Sequence, residues 1–254
     1  MDDPTQQFRL DEKVVVLTGA SSGLGERFAR VCDAAGAKLV LAARRLDRLE
    51  SLAGELSDAI AVQADFSTDD AAPLVVEAAL GQFGAIDVVV NNAGISRAIK
   101  AIDDDPDGFR HELQIDLVAP YDLAARSAKW MIENGRTGSI INTASVLGKV
   151  AGGRLAMAGY AAAKGGLIQL TRELANQWAR KGIRVNAIGP GFFESEMTSE
   201  MFNEKGLALI NSSTPMGRHG DTHELDGALL YLASGASSYM TGQTLFVDGG
   251  WTIV

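Results

Sequence analysis

Short apolar runs alternate with longer helical patterns along this chain, and that alternation limits the possible folds more than any other feature. The candidate strands are Lys13–Thr18, Lys38–Ala43, Ala59–Ala64, Ile86–Asn91, Ser139–Thr143, Arg184–Ile188 and Thr244–Val247. Most are continuously apolar, which is typical of parallel strands covered by helices on both faces. The helical patterns between them are Gly23–Ala35, Leu46–Leu56, Asp69–Phe83, Asp107–Ile132 and Met157–Lys181. This order predicts an α/β fold with a doubly wound parallel sheet of about seven strands and helices on both faces.

The chain has the length of one large domain and contains no segment that reads as a linker. No Pro- or Ser-rich stretch divides the 254 residues, and no repeat is visible beyond the alternation itself. We therefore expect a single domain over residues 1–254 with an N-terminal tail at 1–10. The least regular stretches are 146–158 and 189–217, and long irregular segments in a compact domain are usually functional.

Charge and cysteine content exclude several classes of partner. Lys plus Arg number 23 and Asp plus Glu number 32, a formal net charge of −9, which disfavours both nucleic acid and anionic membranes. The single cysteine, Cys32, allows no intrachain disulfide, and the three scattered histidines indicate no metal site. The acidic start does not resemble a signal peptide, and no apolar run reaches the ~20 residues that cross a bilayer. These features predict a cytoplasmic protein.

A glycine-rich turn separates the first strand from the first helix. It reads Thr18-Gly19-Ala20-Ser21-Ser22-Gly23-Leu24-Gly25. Gly19 permits the tight turn, Gly23 lets the backbone approach a diphosphate, and Gly25 lets the helix pack close to the sheet. The first turn of the helix then presents free N–H groups to phosphate. The spacing is Gly-x3-Gly-x-Gly rather than the usual Gly-x-Gly-x2-Gly of dinucleotide-binding turns, but its position between the first strand and a helix favours the same role. It makes Gly19, Ser21, Ser22, Gly23, Leu24 and Gly25 candidate dinucleotide-binding residues.

Two arginines end the second candidate strand, where NAD-binding sheets usually have an acidic residue. A guanidinium of Arg44 or Arg45 would pair with the 2′-phosphate of NADP(H), with Arg44 the better candidate; NAD(H) remains possible. The alternative is that both arginines only solvate the start of the next helix. Asp65, after the third strand, either accepts from the adenine amino group or caps a helix, and Phe66 beside it is a further candidate.

Tyr160 and Lys164 are four residues apart in a helical pattern, so their side chains share one face. Hydride transfer at a carbon requires a proton to move at the attached oxygen. A phenol with an ordinary pKa near ~10 is a slow base, but a neighbouring ammonium lowers that pKa. Ser145, just beyond the fifth strand, is placed to hold the substrate oxygen. The alternative is an exposed aromatic–cation pair, because this spacing also arises by chance.

In order along the chain, these motifs resemble the short-chain dehydrogenase/reductase family over nearly the whole sequence. The further matches are Asn91-Asn92-Ala93-Gly94, Gly189-Pro190-Gly191, Thr241-Gly242-Gln243 and Val247-Asp248-Gly249-Gly250. The resemblance implies an NAD(P)-dependent oxidoreductase in which Ser145, Tyr160 and Lys164 are catalytic. It also implies cofactor contacts from Asn92, Ala93, Gly94, Tyr160, Lys164, Pro190, Gly191 and Ser195.

The sequence departs from the family pattern in the helix after the fourth strand. Asp116 stands where the family usually has an asparagine that holds a proton-relaying water. An aspartate could accept from that water, but its charge would oppose the effect of Lys164 on Tyr160. We expect a relay with altered pH dependence. Ser195, where the family often has threonine, keeps the hydroxyl and changes little.

The family resemblance also bears on substrate and assembly. The apolar residues of the 189–217 segment, such as Phe192, Phe193 and Met197, are expected to close over a carbonyl or secondary-alcohol substrate. The helices near 107–132 and 157–181 are expected to form the interface of a homotetramer or a dimer. The alternatives to an NADP(H)-dependent reductase are an NAD-dependent alcohol, sugar or steroid dehydrogenase, and a catalytically silent dinucleotide-binding sensor or scaffold.

Overall fold

A computed structural model of the chain describes residues 3–153 and 155–253. Its centre is a seven-stranded, fully parallel sheet in the order β3-β2-β1-β4-β5-β6-β7. The strands are β1 Val14–Thr18, β2 Lys38–Ala43, β3 Ala59–Gln63, β4 Val88–Asn91, β5 Gly138–Thr143, β6 Ile183–Pro190 and β7 Thr244–Val247. All seven predicted strands are therefore present, with ends that differ by at most two residues from the sequence-based bounds.

Helices cover both faces of the sheet, as predicted. Within the described ranges they are α1 Gly23–Ala34, α2 Leu46–Glu55, α3 Ala71–Phe83, α4 Pro106–Leu113, α5 Ala119–Glu133, α6 Ala158–Trp178, α7 Glu204–Ser213 and α8 Asp226–Ala233. One apolar layer packs α3, α5 and α6 against the sheet, and a second packs α1, α2 and α8 against the other face. The layers and the strand order are those of a single-domain Rossmann fold.

Successive residues of the central strands enter different layers. Val14 and Val16 of β1 belong to the first layer, whereas Val15 and Leu17 belong to the second. This explains why the strand reads as a continuous apolar run, since burying one such side chain contributes about 1.5–3 kcal/mol on either face. Cys32 lies fully buried in the second layer, where burial raises the pKa of its thiol to about 12. It is a small core residue, in line with the sequence-based interpretation.

The helix expected over Asp107–Ile132 is interrupted. A π-helical turn at Gln114–Val118 separates α4 from α5. Pro120, two residues after this turn, has no backbone N–H to donate to the carbonyl of Asp116, so regular α-helical bonding cannot continue there. The interruption has a functional consequence, because Asp116 lies in the π turn.

The 189–217 segment is more regular than the sequence suggested. Its first two residues extend β6, a short 3-10 turn covers Ser199–Met201, and α7 occupies Glu204–Ser213. The expectation of an irregular segment is therefore wrong for α7. The N-terminal tail expected at 1–10 is partly ordered: a 3-10 turn spans Pro4–Phe8, and buried Leu10 donates its N–H to the Ala35 carbonyl at 2.8 Å. Met1, Asp2, Arg154 and Val254 lie outside the described residues.

Candidate active site

A cleft of about 440 Å³ opens at the carboxyl edge of the sheet, where the strand order reverses between β1 and β4. Open α/β sheets bind their ligands at this topological switch point, and the volume is in the range of cofactor and small-molecule sites. The glycine turn forms one wall of the cleft. The ends of β4, β5 and β6 and the start of α6 form the other walls.

The glycine turn leaves room for a diphosphate. Gly19 has φ +68°, and a Cβ on it would lie 2.8 Å from the Ala93 Cα. A Cβ on Gly25 would overlap the Gly19 carbonyl oxygen, so α1 can start this close to the turn only with glycine. Gly23, Leu24 and Gly25 at the start of α1 line the cleft, and the N-terminus of a helix favours phosphate binding. The cradle therefore fits the dinucleotide that the fold implies.

Thr18 ties the glycine turn to the end of β4. Its Oγ1 accepts from the backbone N–H groups of Asn92, at 3.0 Å, and Ala93, at 2.9 Å. The Asn92 side chain returns a bond to the Thr18 carbonyl at 3.1 Å. These bonds hold the Asn92-Ala93-Gly94 segment against the turn. Thr18 was assigned only to the turn motif by the sequence, and its role as a clamp between two strands was missed.

The two arginines at the end of β2 have different surroundings. Arg44 is exposed and lines the cleft beside Asp65. Arg45 crosses the glycine turn, where its guanidinium donates to Ser21 Oγ at 3.1 Å and Ser22 Oγ at 2.7 Å. It also forms a two-point ion pair with Glu196. The alternative that both arginines merely solvate α2 is wrong for Arg45.

Asp65 lines the cleft but caps no helix. Its carboxylate accepts from the Ser67 N–H at 3.0 Å, which forms a local turn, and this bond lowers the pKa of Asp65 below its usual range. The N-cap position of α3 is held by Asp70. The helix-cap alternative is therefore wrong, and Asp65 remains a cofactor-site candidate together with Phe66, which lines the same wall.

Ser145, Tyr160 and Lys164 line the same cleft as the glycine turn. Ser145 follows β5 directly, and its Oγ accepts from the Leu147 N–H at 3.1 Å. Tyr160 and Lys164 share one face of α6, with the Lys164 Nζ 5.4 Å from the centre of the Tyr160 ring. The Tyr160 phenol lies close enough to the Ser145 hydroxyl for a hydrogen bond to affect its pKa. Both hydroxyl groups therefore open onto one cavity.

Asp116 lies behind these residues rather than in the lining of the cleft. Its side chain is fully buried, and its Oδ1 pairs with the Lys164 Nζ at 2.8 Å. Its Oδ2 accepts from the Ile95 N–H at 3.0 Å. The Lys164 ammonium also donates to the Thr143 carbonyl at 3.0 Å. The sequence anticipated a carboxylate near Lys164, and the structure has the two groups in direct contact.

The electrostatics of the buried site follow from this ion pair. Burial by itself would lower the pKa of Lys164, but the Asp116 carboxylate reverses that effect and the pKa is raised. Burial raises the pKa of Tyr160; the Lys164 ammonium opposes the rise, and the Asp116 carboxylate adds to it. Lys164 is therefore an ammonium ion at neutral pH, and its effect on the phenol is partly cancelled by its own counter-ion.

A second carboxylate, not anticipated from the sequence, lies one helical turn before Asp116. Glu112 of α4 is 1 % exposed, and its Oε1 accepts from the Arg97 N–H at 2.8 Å. Burial raises the pKa of Glu112 above its usual range. A Cβ on Gly159 would overlap this carboxylate, so the start of α6 packs directly on it. Single-sequence patterns did not separate this glutamate from exposed acids on the same helix.

The segment after β6 closes one side of the cleft. Pro190, Gly191 and Ser195 line it. Ser195 is held by Thr198, whose Oγ1 accepts from the Ser195 N–H at 2.9 Å. Of the apolar residues expected to cover the substrate, Phe193 and Met197 line the cleft. Phe192 instead packs against Trp251, with ring centres 4.6 Å apart.

All the residues assigned from the sequence to cofactor binding line this one cleft. They are Gly19, Ser21, Ser22, Gly23, Leu24, Gly25, Arg44, Arg45, Asp65, Phe66, Asn92, Ala93, Gly94, Tyr160, Lys164, Pro190, Gly191 and Ser195. The lining residues that the sequence did not identify as part of the site include Ile95, Ser96, Ile115, Glu196 and Thr198. Ile95 and Ser96 directly follow the Asn-Asn-Ala-Gly motif, so extending that motif by two residues would have found them.

No group of three or more His, Cys, Asp or Glu side chains in the described part of the chain is arranged to hold a metal ion. None of the helices in 3–153 and 155–253 combines enough length with enough apolar character to span a bilayer.

Comparison with known proteins agrees with this geometry. A family model described as enoyl-(acyl carrier protein) reductase matches residues 19–252. A galactitol 2-dehydrogenase (L-tagatose-forming) from Cereibacter sphaeroides is 37 % identical over 248 residues, which cover 97 % of each chain. A crystal structure of a short-chain type dehydrogenase/reductase from Mycobacterium marinum superposes with a TM-score of 0.94 at 33 % identity, covering 98 % of this chain and 99 % of the other.

A gluconate 5-dehydrogenase from Burkholderia cenocepacia, crystallised in complex with NADP and tartrate, is also similar. It superposes with a TM-score of 0.92 at 34 % identity and covers 99 % of this chain and 100 % of its own. The chain therefore belongs to the short-chain dehydrogenase/reductase family and is a nicotinamide-dependent oxidoreductase of CH–OH groups.

Proposed function

We propose that this enzyme interconverts a secondary alcohol and the corresponding ketone with NADP(H), using Tyr160 as the general acid/base. The observation that supports this most directly is that one cleft has a phosphate cradle at one end and the Ser145, Tyr160 and Lys164 side chains at the other. When bound, the nicotinamide ring supplies or accepts the hydride.

The protein's own groups manage the proton. In the reducing direction the Tyr160 hydroxyl donates its proton to the substrate oxygen, and in the oxidising direction the phenolate accepts it. The Ser145 Oγ accepts from the Leu147 N–H, which leaves its own hydrogen for the substrate oxygen. The Lys164 ammonium donates to the Thr143 carbonyl and is ion-paired with Asp116, and it has three hydrogens to share. The third is available for a ribose hydroxyl.

Asp116 stands at the position where the family usually has a water-holding asparagine, and it contacts Lys164 directly. It keeps the ammonium charged in a buried position, and the Ile95 N–H keeps the carboxylate in place. This pair stabilises the Tyr160 phenolate less than an ammonium without a counter-ion would. We therefore propose that the optimum for alcohol oxidation lies at higher pH than an asparagine at this position would give.

The cofactor preference rests on Arg44 and Arg45. Both line the cleft at the end of β2, where a 2′-phosphate would bring two negative charges. The alternative cofactor, NAD(H), is favoured by one observation: the guanidinium of Arg45 is already paired with Glu196. Equilibrium titration of the purified protein with NADPH and with NADH, followed by fluorescence, separates the two.

A substrate panel tests the reaction class. It should include polyols and sugar acids, because relatives are named for galactitol and gluconate, and also 3-oxoacyl thioesters and simple ketones. Turnover is followed by reduced-nicotinamide absorbance. Tyr160→Phe should reduce kcat by about a thousandfold or more while NADPH binding changes less than about threefold. A phenylalanine variant that retains full turnover would refute the assignment of Tyr160.

We also propose a homo-oligomer, either a tetramer or a dimer. Val118 in the π turn and Tyr121 at the start of α5 are 43 % and 47 % exposed, which leaves apolar surface on the element that the resemblance assigns to an interface. Light scattering on the purified chain measures the mass directly. A monomer at micromolar concentration would refute this proposal without affecting the catalytic one.

A further inference from the structure

The Glu196 carboxylate joins the segment after β6 to the start of α2. Its Oε1 accepts from the Arg45 Nη1 at 2.9 Å and its Oε2 from the Arg45 Nη2 at 2.8 Å. Arg48 adds a contact to the same Oε1 at 3.3 Å. The arrangement is a two-point, planar ion pair, which is the geometry with which an arginine also binds a phosphate.

This ion pair lies at the cofactor end of the cleft. Glu196, Arg45, Ser21 and Ser22 all line the cleft, between the glycine turn and the end of β2. The Arg45 guanidinium is surrounded on several sides, because it also donates to the Ser21 and Ser22 hydroxyl groups. Hydrogen bonds from Arg45 hold the pKa of Glu196 at about 2, so this residue is an anion at every pH at which the protein would work.

We propose that Glu196 is a specificity-determining residue that competes with the 2′-phosphate of NADP(H) for Arg45 and leaves the affinity for NAD(H) nearly unchanged. The inference rests on the proposed dinucleotide function and refines it. A 2′-phosphate that approaches Arg45 meets a guanidinium whose two terminal nitrogens are already bonded to a carboxylate. It must either share that guanidinium with a like charge or displace Glu196.

Arg44 is then the arginine left to bind the phosphate. Within 3–153 and 155–253 it has no carboxylate partner within 4.0 Å, whereas Arg45 and Arg48 both contact Glu196. The enzyme would accept NADP(H) through Arg44. It would discriminate less strongly against NAD(H) than an enzyme in which both Arg44 and Arg45 were unpaired. The expected cofactor preference is therefore moderate.

The size of the effect follows from solvent exposure. The side chains of Arg45 and Glu196 are 37 % and 52 % exposed, so water and salt screen the repulsion between Glu196 and a phosphate. Removing one charge next to a dianion under such screening should change affinity by about tenfold. The change should become smaller at high ionic strength.

The test uses isothermal titration calorimetry of the full chain with adenosine 2′,5′-bisphosphate and with adenosine 5′-monophosphate, which differ only in the 2′-phosphate. The variants are Glu196→Gln and Glu196→Ala. Both should bind the bisphosphate about tenfold more tightly than wild type and the monophosphate within about twofold of it. The glutamine can still accept from Arg45, whereas the alanine cannot, so agreement between them assigns the effect to the charge.

The matched control is Glu194→Gln. Glu194 is exposed on the same segment, and among the described residues it pairs with no cation within 4.0 Å. Glu194→Gln changes the net charge by the same amount but removes no partner of Arg45. It should therefore leave both affinities within about twofold of wild type. An equal gain of affinity for the bisphosphate in the Glu194 and Glu196 variants would overturn the inference, because the gain would then reflect net charge alone.

Two other results are decisive. If both Glu196 variants bind the bisphosphate as wild type does, or more weakly, Glu196 does not compete with the phosphate and the inference is wrong. That outcome leaves the proposed function intact as long as wild type binds NADPH or NADH. A wild-type protein that binds neither nucleotide overturns the proposed function, and the role of Glu196 with it.

Discussion

Replacing Asp116 with asparagine changes one buried charge with almost no change in volume. In wild type the Asp116 carboxylate is fully buried, pairs with the Lys164 Nζ at 2.8 Å and accepts from the Ile95 N–H at 3.0 Å. Both partners of Asp116 are donors, and an asparagine side chain has only one oxygen that accepts, beside an NH2 group that donates. It can therefore keep a good interaction with the Lys164 ammonium or with the Ile95 N–H, but not with both. The variant therefore isolates the electrostatic contribution of the carboxylate to the Tyr160 phenol.

The distances in the site give the expected magnitude. Lys164 Nζ lies 2.8 Å from the Asp116 Oδ1 and 5.4 Å from the centre of the Tyr160 ring. These distances place the Asp116 Oδ1 within about 8 Å of the centre of the Tyr160 ring, where one charge at an effective dielectric constant of about 20 contributes about 2 kcal/mol. Because the carboxylate raises the pKa of Tyr160, its removal should lower that pKa.

The assay is the pH profile of kcat/KM for alcohol oxidation. Oxidation requires the phenolate, so the acidic limb of the profile reports the pKa of Tyr160 in the free enzyme. In Asp116→Asn this limb should move to lower pH, because the carboxylate no longer disfavours the phenolate. Asp122→Asn is the control, because Asp122 pairs with Arg126 on α5 and its side chain is one-third exposed. It should leave the limb unchanged.

Stability has to be measured alongside, because breaking a buried ion pair costs about 3–5 kcal/mol when one charge stays behind. Thermal unfolding of each variant shows whether the profile is recorded on folded protein. An acidic limb at the wild-type position in folded Asp116→Asn protein would refute the electrostatic reasoning. A limb that moves to higher pH would refute it as well, since it would mean that the carboxylate favours the phenolate.

Three further predictions concern other parts of the site. Burial raises the pKa of Glu112, so the stability it contributes is complete below its unfolded pKa and is lost as pH rises through the folded pKa. Glu112→Gln should flatten this decline of the free energy of unfolding as pH rises above the ordinary pKa of a glutamate, measured by chemical denaturation, and parallel curves for variant and wild type would contradict it. Gly25→Ala places a methyl group on the Gly19 carbonyl oxygen and should cost about 1–3 kcal/mol of stability and at least tenfold in cofactor affinity. A Gly25→Ala variant that binds NADPH as tightly as wild type would argue against the tight cradle. Arg44→Ala should weaken NADPH binding by about tenfold and NADH binding by less than about twofold, whereas equal losses would mean that Arg44 does not bind the 2′-phosphate.

The elements that the sequence predicted well are those defined by local patterns. β2 and β7 have the predicted bounds, and α1 and α2 end within one residue of prediction. Apolar runs, glycine turns and helical periodicity are properties of neighbouring residues, so they can be read without knowing the fold. The same is true of the spacing between Tyr160 and Lys164, which places both on one face of any helix.

The sequence missed elements in which a short helical pattern lies beside turn-forming residues, so the local pattern favours neither helix nor loop. α7 and α8 are short helices, and turn-forming residues such as Pro215 and Gly217 lie between them. The π turn at 114–118 interrupts an otherwise helical pattern without a glycine or a proline inside it. Helical periodicity averages over such a turn, and Pro120, two residues after it, is the sequence signal that was missed.

The sequence by itself determined the sheet, the glycine cradle and most of the residues that line the cleft. The tertiary structure decided which of their charges remain available for a ligand. Asp116 and Lys164 are 48 positions apart in the sequence, and Arg45 and Glu196 are 151 positions apart. Whether such groups neutralise one another depends on distances of a few ångströms set by the packing of whole strands and helices, and no local pattern in the chain encodes those distances.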